Sequence, residues 1–258
     1  MNAIIIAGGN STRIRPLSNE IPKTMIEIYG KSILERQIEL FQRYGISDIT
    51  VVTGYQSEKI NLPNITCIKN EKYKSTNVNE GLFCAKAKFN DSVVITHGDL
   101  IFEHEVLEQA LNFKGDIGVV VDLDWEKQYT GKFGNILSEA DNVIMNKKQI
   151  LKIRKNLTKK NDLLLAESIG MFKLSKSGAG ILLDRYNHLK KSHKGRFHSS
   201  PSFKDAFFFE MIQDIIDTNV IVEPIPINGG WCEIDRQIDL ERAKEIFSHQ
   251  SKKFIAIL

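Results

Sequence analysis

Cysteine is scarce in this chain of 258 residues: Cys67, Cys84 and Cys232 are far apart and odd in number. That excludes a disulfide framework and a cysteine zinc cluster, and it suits a reducing, cytoplasmic setting. Long apolar runs are absent too. No window approaches the ~18 uncharged apolar residues of a membrane span. The first residues, MNAIIIAGGN, lack the basic region and the apolar length of a signal peptide. Excess charge is missing: 35 basic against 32 acidic residues leave +3, which gives no ground for a nucleic-acid partner. The six histidines show no H-E-x-x-H or similar metal spacing. No repeat, low-complexity tract or linker divides the chain. A single domain over 1–258 is therefore expected, with a first part at 1–124 and a closing part at 125–258.

What is present is an alternation of apolar runs and amphipathic segments. Strands are expected at 3–7, 49–53, 65–68, 92–96, 117–121, 169–174 and 220–226. Helices are expected at 32–44, 77–88, 103–113, 176–191, 205–217 and 237–248. Ser32 and Glu35 form a capping box for the first of these, and Gly45 ends it. Val78, Leu82, Phe83 and Ala87 would face inward on the second, and Cys84 reads as a core residue. Residues 141–157 mix strand-like and basic character. Alternating strands and helices predict an α/β fold, a Rossmann-like, mostly parallel mixed sheet flanked by helices, with a small β-rich subregion in the second half.

The strongest chemical signal follows the first strand. It reads Ala7-Gly8-Gly9-Asn10-Ser11-Thr12-Arg13-Ile14-Arg15-Pro16, and Pro22-Lys23 come soon after. A glycine turn there lies at the carboxyl edge of the sheet, where open α/β folds bind ligands. Glycines let backbone N–H groups approach phosphate oxygens, and Arg13 and Lys23 add positive charge. The run is neither a P-loop nor a G-x-G-x-x-G fingerprint. Two strand-end carboxylates, Asp99 after Val94-Ile95-Thr96-His97-Gly98 and Asp235 after Trp231-Cys232-Glu233-Ile234, have the chemistry to hold a hard cation. Glu233 and Asp239 are near competitors for the role of Asp235. His97 reads as structural.

The pattern of Gly9, Thr12, Arg13, Pro16, Ser18, Pro22 and Lys23 resembles the signature of nucleotidyltransferases acting on sugar phosphates and other small phosphates. Ser11 stands where that signature has a second glycine. A side chain at that place is expected to crowd the phosphate, with the hydroxyl as a hydrogen-bond donor instead. The segments Thr76-Asn77, Leu82–Ala85, Gly98-Asp99, Val121–Trp125 and Trp231–Asp235 are similar to the small bacterial choline-phosphate and phosphonate cytidylyltransferases of cell-surface polysaccharide pathways. The resemblance implies the nucleotidyltransferase fold, with a nucleotide part at 1–124 and an acceptor part at 125–258. It implies CTP as donor, phosphocholine, 2-aminoethylphosphonate, phosphoglutamine or a similar acceptor, and Mg²⁺ held by Asp99 and Asp235. Lys23 and Arg13 would be catalytic. Ala7, Gly8, Gly9, Asn10, Ser11, Thr12, Arg13, Tyr55, Asn70, Asn77 and Gly98 would meet the nucleotide. A homodimer is compatible with it, and neither nucleic acid nor a membrane is implied.

Several residues carry two readings. Asn77 is a nucleotide or phosphate contact, or a helix cap. Asp122 and Asp124 receive an ammonium group, or cap a strand end. Trp125, Tyr129, Phe133 and Trp231 offer aromatic faces to a quaternary amine, or are core and rim aromatics. The basic stretch 146–160 is a solvated arm, an acceptor patch or an interaction surface. Three other functions share these features: a sugar-1-phosphate nucleotidyltransferase using UTP, dTTP or GTP, a glycosyltransferase using Asp122-Leu123-Asp124, and a catalytically silent nucleotide-sensing subunit.

Overall fold

The run Ala3–Ala7 is apolar on both sides and becomes a strand buried on both faces, as parallel sheets require. The computed structural model describes residues 1–9, 12–131, 134–159 and 162–255, of which 249–255 by backbone alone. In chain order the elements are β1 (Asn2–Ala7), β2 (Glu27–Ile28), β3 (Lys31–Ser32), α1 (Ile33–Arg43), β4 (Asp48–Thr53), β5 (Thr66–Lys69) and α2 (Val78–Leu82). Then come β6 (Val93–His97), β7 (Leu100–Phe102), α3 (His104–Asn112), β8 (Ile117–Asp122), α4 (Ile136–Glu139), β9 (Asn142–Met145) and β10 (Ile150–Ile153). The chain continues through β11 (Leu164–Leu174), α5 (Lys176–Ser192), α6 (Phe208–Asp217), β12 (Glu223–Ile227), β13 (Trp231–Glu233) and α7 (Gln237–Ile255).

The main sheet runs β10-β9-β11-β6-β1-β4-β5, with β8 and β12 added along β11. Pairing is parallel from β6 through β5 and antiparallel around β11. This is the expected mixed sheet flanked by helices, with two small antiparallel pairs beside it, β2–β3 and β7–β13. Alternation along each strand divides the core. Ile4, Val52, Ile95 and Phe172 pack on the face under α5 and α6, and Ala3, Ile5, Val51 and Val94 on the face under α1 and α3. A third cluster, with Ile14, Ile28, Ile101, Ile234 and Phe247, ties the first loop to β7, β13 and α7.

β11 sets the opening of the site. Phe172 pairs with Ile95 of β6 and Val119 of β8, and Glu167 pairs with Asn142 of β9 and Asp122 of β8. β8 therefore follows one edge while β6 and β9 share the other, with a gap between His97 and Asn142. Gly170 lies in that gap at φ +78°, where a Cβ would come within 2.8 Å of His97 Nδ1. Only glycine lets the strand pass the histidine there.

Two local expectations change. The helix expected over 77–88 ends at Leu82 and continues as 3₁₀ turns over Phe83–Asn90. Phe83, Ala85 and Phe89 are all buried, and one α-helical face cannot present that spacing. Cys84, expected in the core, is exposed for the same reason. The capping box at Ser32 and Glu35 forms as expected.

Candidate active site

The ends of β1 and β6 are stitched together. The Gly98 N–H donates to the Ile6 carbonyl at 2.8 Å. A Cβ on Gly98 would sit 3.1 Å from that oxygen and 3.2 Å from Ala7 Cβ, so the contact needs glycine. Asp99 follows directly and joins β6 to β7. β13 pairs with β7 in antiparallel register, Glu233 opposite Leu100, and the Ile234 N–H donates to the Asp99 carbonyl at 3.0 Å. Alternation along 231–235 then sends Glu233 and Asp235 to the side of Asp99. Carboxylate oxygens of Asp99, Glu233 and Asp235 all lie within 4.8 Å of one another.

Cations from the first loop meet this group. Pro22 leads into a 3₁₀ turn, Lys23–Met25, whose Thr24 is buried, and Lys23 projects inward. Its ammonium lies 2.5 Å from Asp99 Oδ2 and 2.6 Å from Asp235 Oδ1. Arg13, in the turn Thr12–Ile14 anchored by buried Ile14, reaches Asp235 Oδ2 at 2.9 Å. Asp239 in the first turn of α7 accepts the backbone N–H groups of Asp235 (3.1 Å) and Arg236 (2.8 Å) and holds that loop.

Electrostatics follow from burial and these contacts. Burial disfavours the Lys23 ammonium, but Asp99, Asp235 and Glu233 outweigh it and raise its pKa above lysine's ordinary value. Burial would raise Asp99, yet Lys23 and His97 hold it below the ordinary carboxylate range. Glu233 is pushed well above that range by burial and by the charges of Asp235 and Asp99. Burial lowers His97, which favours the neutral ring. Asp99 Oδ1 is buried without a hydrogen-bond partner.

These groups line one end of a cleft of about 490 Å³. Ala7, Gly9, Thr12, Arg13, Lys23, Asn77, Gly98, Asp99 and Asp235 border it, as do Tyr129 and Trp231. Asn77 also caps α2, accepting the Val78 N–H at 2.8 Å, so both of its readings remain compatible with its place. Asn10, Ser11 and Phe133 lie outside the described residues.

Other expected site residues are elsewhere. Gly8 packs behind the loop, against Thr53 and Gly54. Tyr55 donates its hydroxyl to the Asn19 carbonyl at 2.6 Å. Asn70 is buried in its own turn, bonded to Thr76 Oγ1 (3.1 Å) and the Lys72 N–H (3.0 Å). The pair expected to receive an ammonium is corrected. Asp122 is fully buried and accepts from Trp231 Nε1 (2.8 Å), the Asp124 N–H (2.9 Å) and the Gly229 N–H (3.0 Å). It caps the end of β8. Asp124 pairs with Lys127 at 2.7 Å, away from the cleft. Trp125 is buried edge-on against Tyr129 and offers the cleft no face.

The far wall was not expected from the sequence. It carries Glu139, Asp141, Glu167 and Ser168, with Lys155 from the basic stretch and Phe207 beside them. Glu233 was weighed as a competitor of Asp235 and instead joins it, a result that strand alternation over 231–235 could have signalled.

Comparison with known proteins bears on the family and the fold. The family described as the MobA-like NTP transferase domain matches residues 3–159. A CTP:phosphoglutamine cytidylyltransferase of Campylobacter jejuni is 30% identical over 252 residues, covering 93% of this chain and 98% of that protein. A bifunctional protein GlmU of Methanocaldococcus jannaschii is 28% identical over 255 residues, 95% of this chain but 54% of that longer protein. A solved structure of a CTP:phosphocholine cytidylyltransferase from Streptococcus pneumoniae superposes with a TM-score of 0.72 at 20% identity, over 95% of this chain and 98% of that one, and shares the fold.

Proposed function

The chain belongs to the family of MobA-like NTP transferase domains, and from that premise we propose that it is a cytidylyltransferase. It transfers CMP from CTP to a small phosphate or phosphonate acceptor, of the kind of phosphocholine, 2-aminoethylphosphonate or phosphoglutamine, and releases pyrophosphate. The observation that carries the reading is the placement of Lys23 between Asp99 and Asp235, with Arg13 alongside, at the mouth of the glycine loop.

An acceptor oxygen attacks the α-phosphorus of CTP while the bond to the β-phosphate oxygen breaks. The attacking oxygen is already anionic, so no general base and no covalent enzyme intermediate is needed. Rate enhancement then comes from positioning and from neutralising negative charge. Arg13 and the loop amides hold the β- and γ-phosphates. Lys23 lies where the α-phosphate meets the acceptor. Residues 1–124 supply the nucleotide side and 125–258 the acceptor side.

Three carboxylates with an unpartnered buried oxygen, Asp99 Oδ1, make a hard oxygen donor set that fits a divalent cation. Asp99, Glu233 and Asp235 would hold Mg²⁺, which when bound lowers the charge repulsion among the reacting phosphates. With Lys23 on Asp99 Oδ2 and Asp235 Oδ1, the ammonium and the ion would share one cluster of negative charge.

The test is pyrophosphate release with CTP, UTP, dTTP, GTP and ATP against phosphocholine, 2-aminoethylphosphonate, phosphoglutamine and glucose 1-phosphate. Release with CTP and a small amino acceptor is expected. Release only with glucose 1-phosphate and another nucleotide would replace the reading by a sugar-phosphate one. Nucleotide binding without release from any pair would favour a silent sensor.

A further inference from the structure

The far wall of the cleft has a specific chemical character. The Glu139 carboxylate is matched by Arg236 at 2.9 Å, and Lys155 is anchored on the Glu139 carbonyl at 2.8 Å. Asp141 is held more loosely: Lys155 lies 3.7 Å from its Oδ1. Burial pushes the Asp141 carboxyl up to about 6 against the pull of Lys155. The Ser168 N–H donates to the Asp141 carbonyl at 2.8 Å, which brings the two residues side by side. Ser168 is 5% exposed, lines the cleft, and its Oγ has no hydrogen-bond partner. Glu167, 3% exposed, accepts the Tyr129 hydroxyl at 2.6 Å next to them.

We propose that this wall receives a primary ammonium group of the acceptor, with Asp141 as its counter-charge and Ser168 Oγ and Glu167 as further hydrogen-bond acceptors. The inference rests on the reading that this half of the cleft takes the acceptor. A primary ammonium brings a positive charge and three N–H donors. A quaternary ammonium has no N–H: it would cover Ser168 Oγ, which is buried and without a partner, and donate nothing to it or to Asp141, which is costly. A neutral hydroxyl would satisfy Ser168 but bring no positive charge to Asp141, leaving it only Lys155 at 3.7 Å. The wall thus separates amine-bearing acceptors from N-methylated and neutral ones of the same length.

The experiment is calorimetric titration of the protein with 2-aminoethyl phosphate, phosphocholine and 2-hydroxyethyl phosphate, which differ only at the far end. Aminoethyl phosphate is expected to bind about tenfold or more tightly than the other two, the scale of a charge-assisted hydrogen bond. Asp141→Asn is expected to reduce that preference to about twofold, and Ser168→Ala to weaken aminoethyl phosphate alone by a few-fold. CTP affinity measured on each variant reports that it is folded. Equal affinities, no detectable binding of aminoethyl phosphate, or a preference that survives both substitutions overturns the proposal. Pyrophosphate release from CTP without any ammonium preference sinks this inference alone. An ammonium preference without turnover of any nucleotide sinks the transferase reading alone.

Discussion

Lys23 is the residue on which the site's charge balance turns. It faces two carboxylates within 2.6 Å, and Glu233 adds a third negative group close by. Lys23→Ala is expected to lower kcat by about 10²–10³ or more, since the proposed mechanism sets its charge against the reacting phosphates. Near-normal turnover in that variant would remove Lys23 from the mechanism. Asp141 makes a different prediction, about stability. Its carboxyl titrates at about 6 in the folded chain, against ~3.9 for an ordinary aspartate. Between those values the folded state keeps a proton that the unfolded state has lost. Stability from this residue is therefore present below the lower value and is lost as pH rises through the window. Asp141→Asn should gain on the parent by roughly 2 kcal/mol between about pH 4 and pH 7, allowing for partial exposure of the group. Thermal melts of both proteins across that range measure it, and a constant difference would contradict it.

At the scale of elements, the site is a product of β7–β13 pairing and the first turn of α7. β13 carries Glu233 to the side of Asp99, and Asp239 then fixes the backbone that presents Asp235. On the proposed mechanism Asp239 would act through that loop, as a positioning residue. Asp239→Ala should cost about 1–2 kcal/mol of stability, like other lost caps. It should also raise the Mg²⁺ concentration needed for half-maximal rate by about tenfold or more, with CTP affinity little changed. An unchanged Mg²⁺ requirement would leave Asp239 with a structural role only. Most elements were legible in the sequence because their apolar periodicity matched the layer that buries them: β1, β4, β6 and β8 are continuous apolar runs, and α1 announces itself by its capping box. The first loop was legible because its cations and glycines are contiguous. The far wall was not, since Glu139 with Asp141, Lys155, and Glu167 come from three segments whose meeting depends on the pairing of β9 with β11. Asp122 and Asp124 misled for a related reason: a strand-end carboxylate looks the same whether it faces a ligand or caps the backbone behind it.

In the whole molecule, the two halves of the chain meet at the carboxylates. Asp99 belongs to the half that carries the glycine loop, and Glu233 and Asp235 arrive from the C-terminal end over a separation of more than 130 positions. Such a group exists only in the folded chain, because the unfolded chain holds these acids far apart. An ion that binds there must stabilise the fold by mass action, by RT ln(1 + [L]/Kd). Mg²⁺ at about five times its Kd would add roughly 1 kcal/mol, which for a chain of this size shifts Tm by ~2–4 °C. Screening by salt moves Tm as well, so the comparison is Mg²⁺ against chelator at equal ionic strength. The shift should vanish in Asp99→Asn, which also removes the ion pair to Lys23 and lowers the apoprotein's own Tm, and shrink in Glu233→Gln, which relieves repulsion from Asp235 and Asp99 and can raise it. A Mg²⁺-dependent shift of equal size in Asp99→Asn would place the ion elsewhere. No shift in the parent at millimolar Mg²⁺ would mean that Lys23 keeps the carboxylates to itself until nucleotide phosphates draw it away, and the same melts repeated with CTP and Mg²⁺ together would then show a rise larger than that with CTP alone.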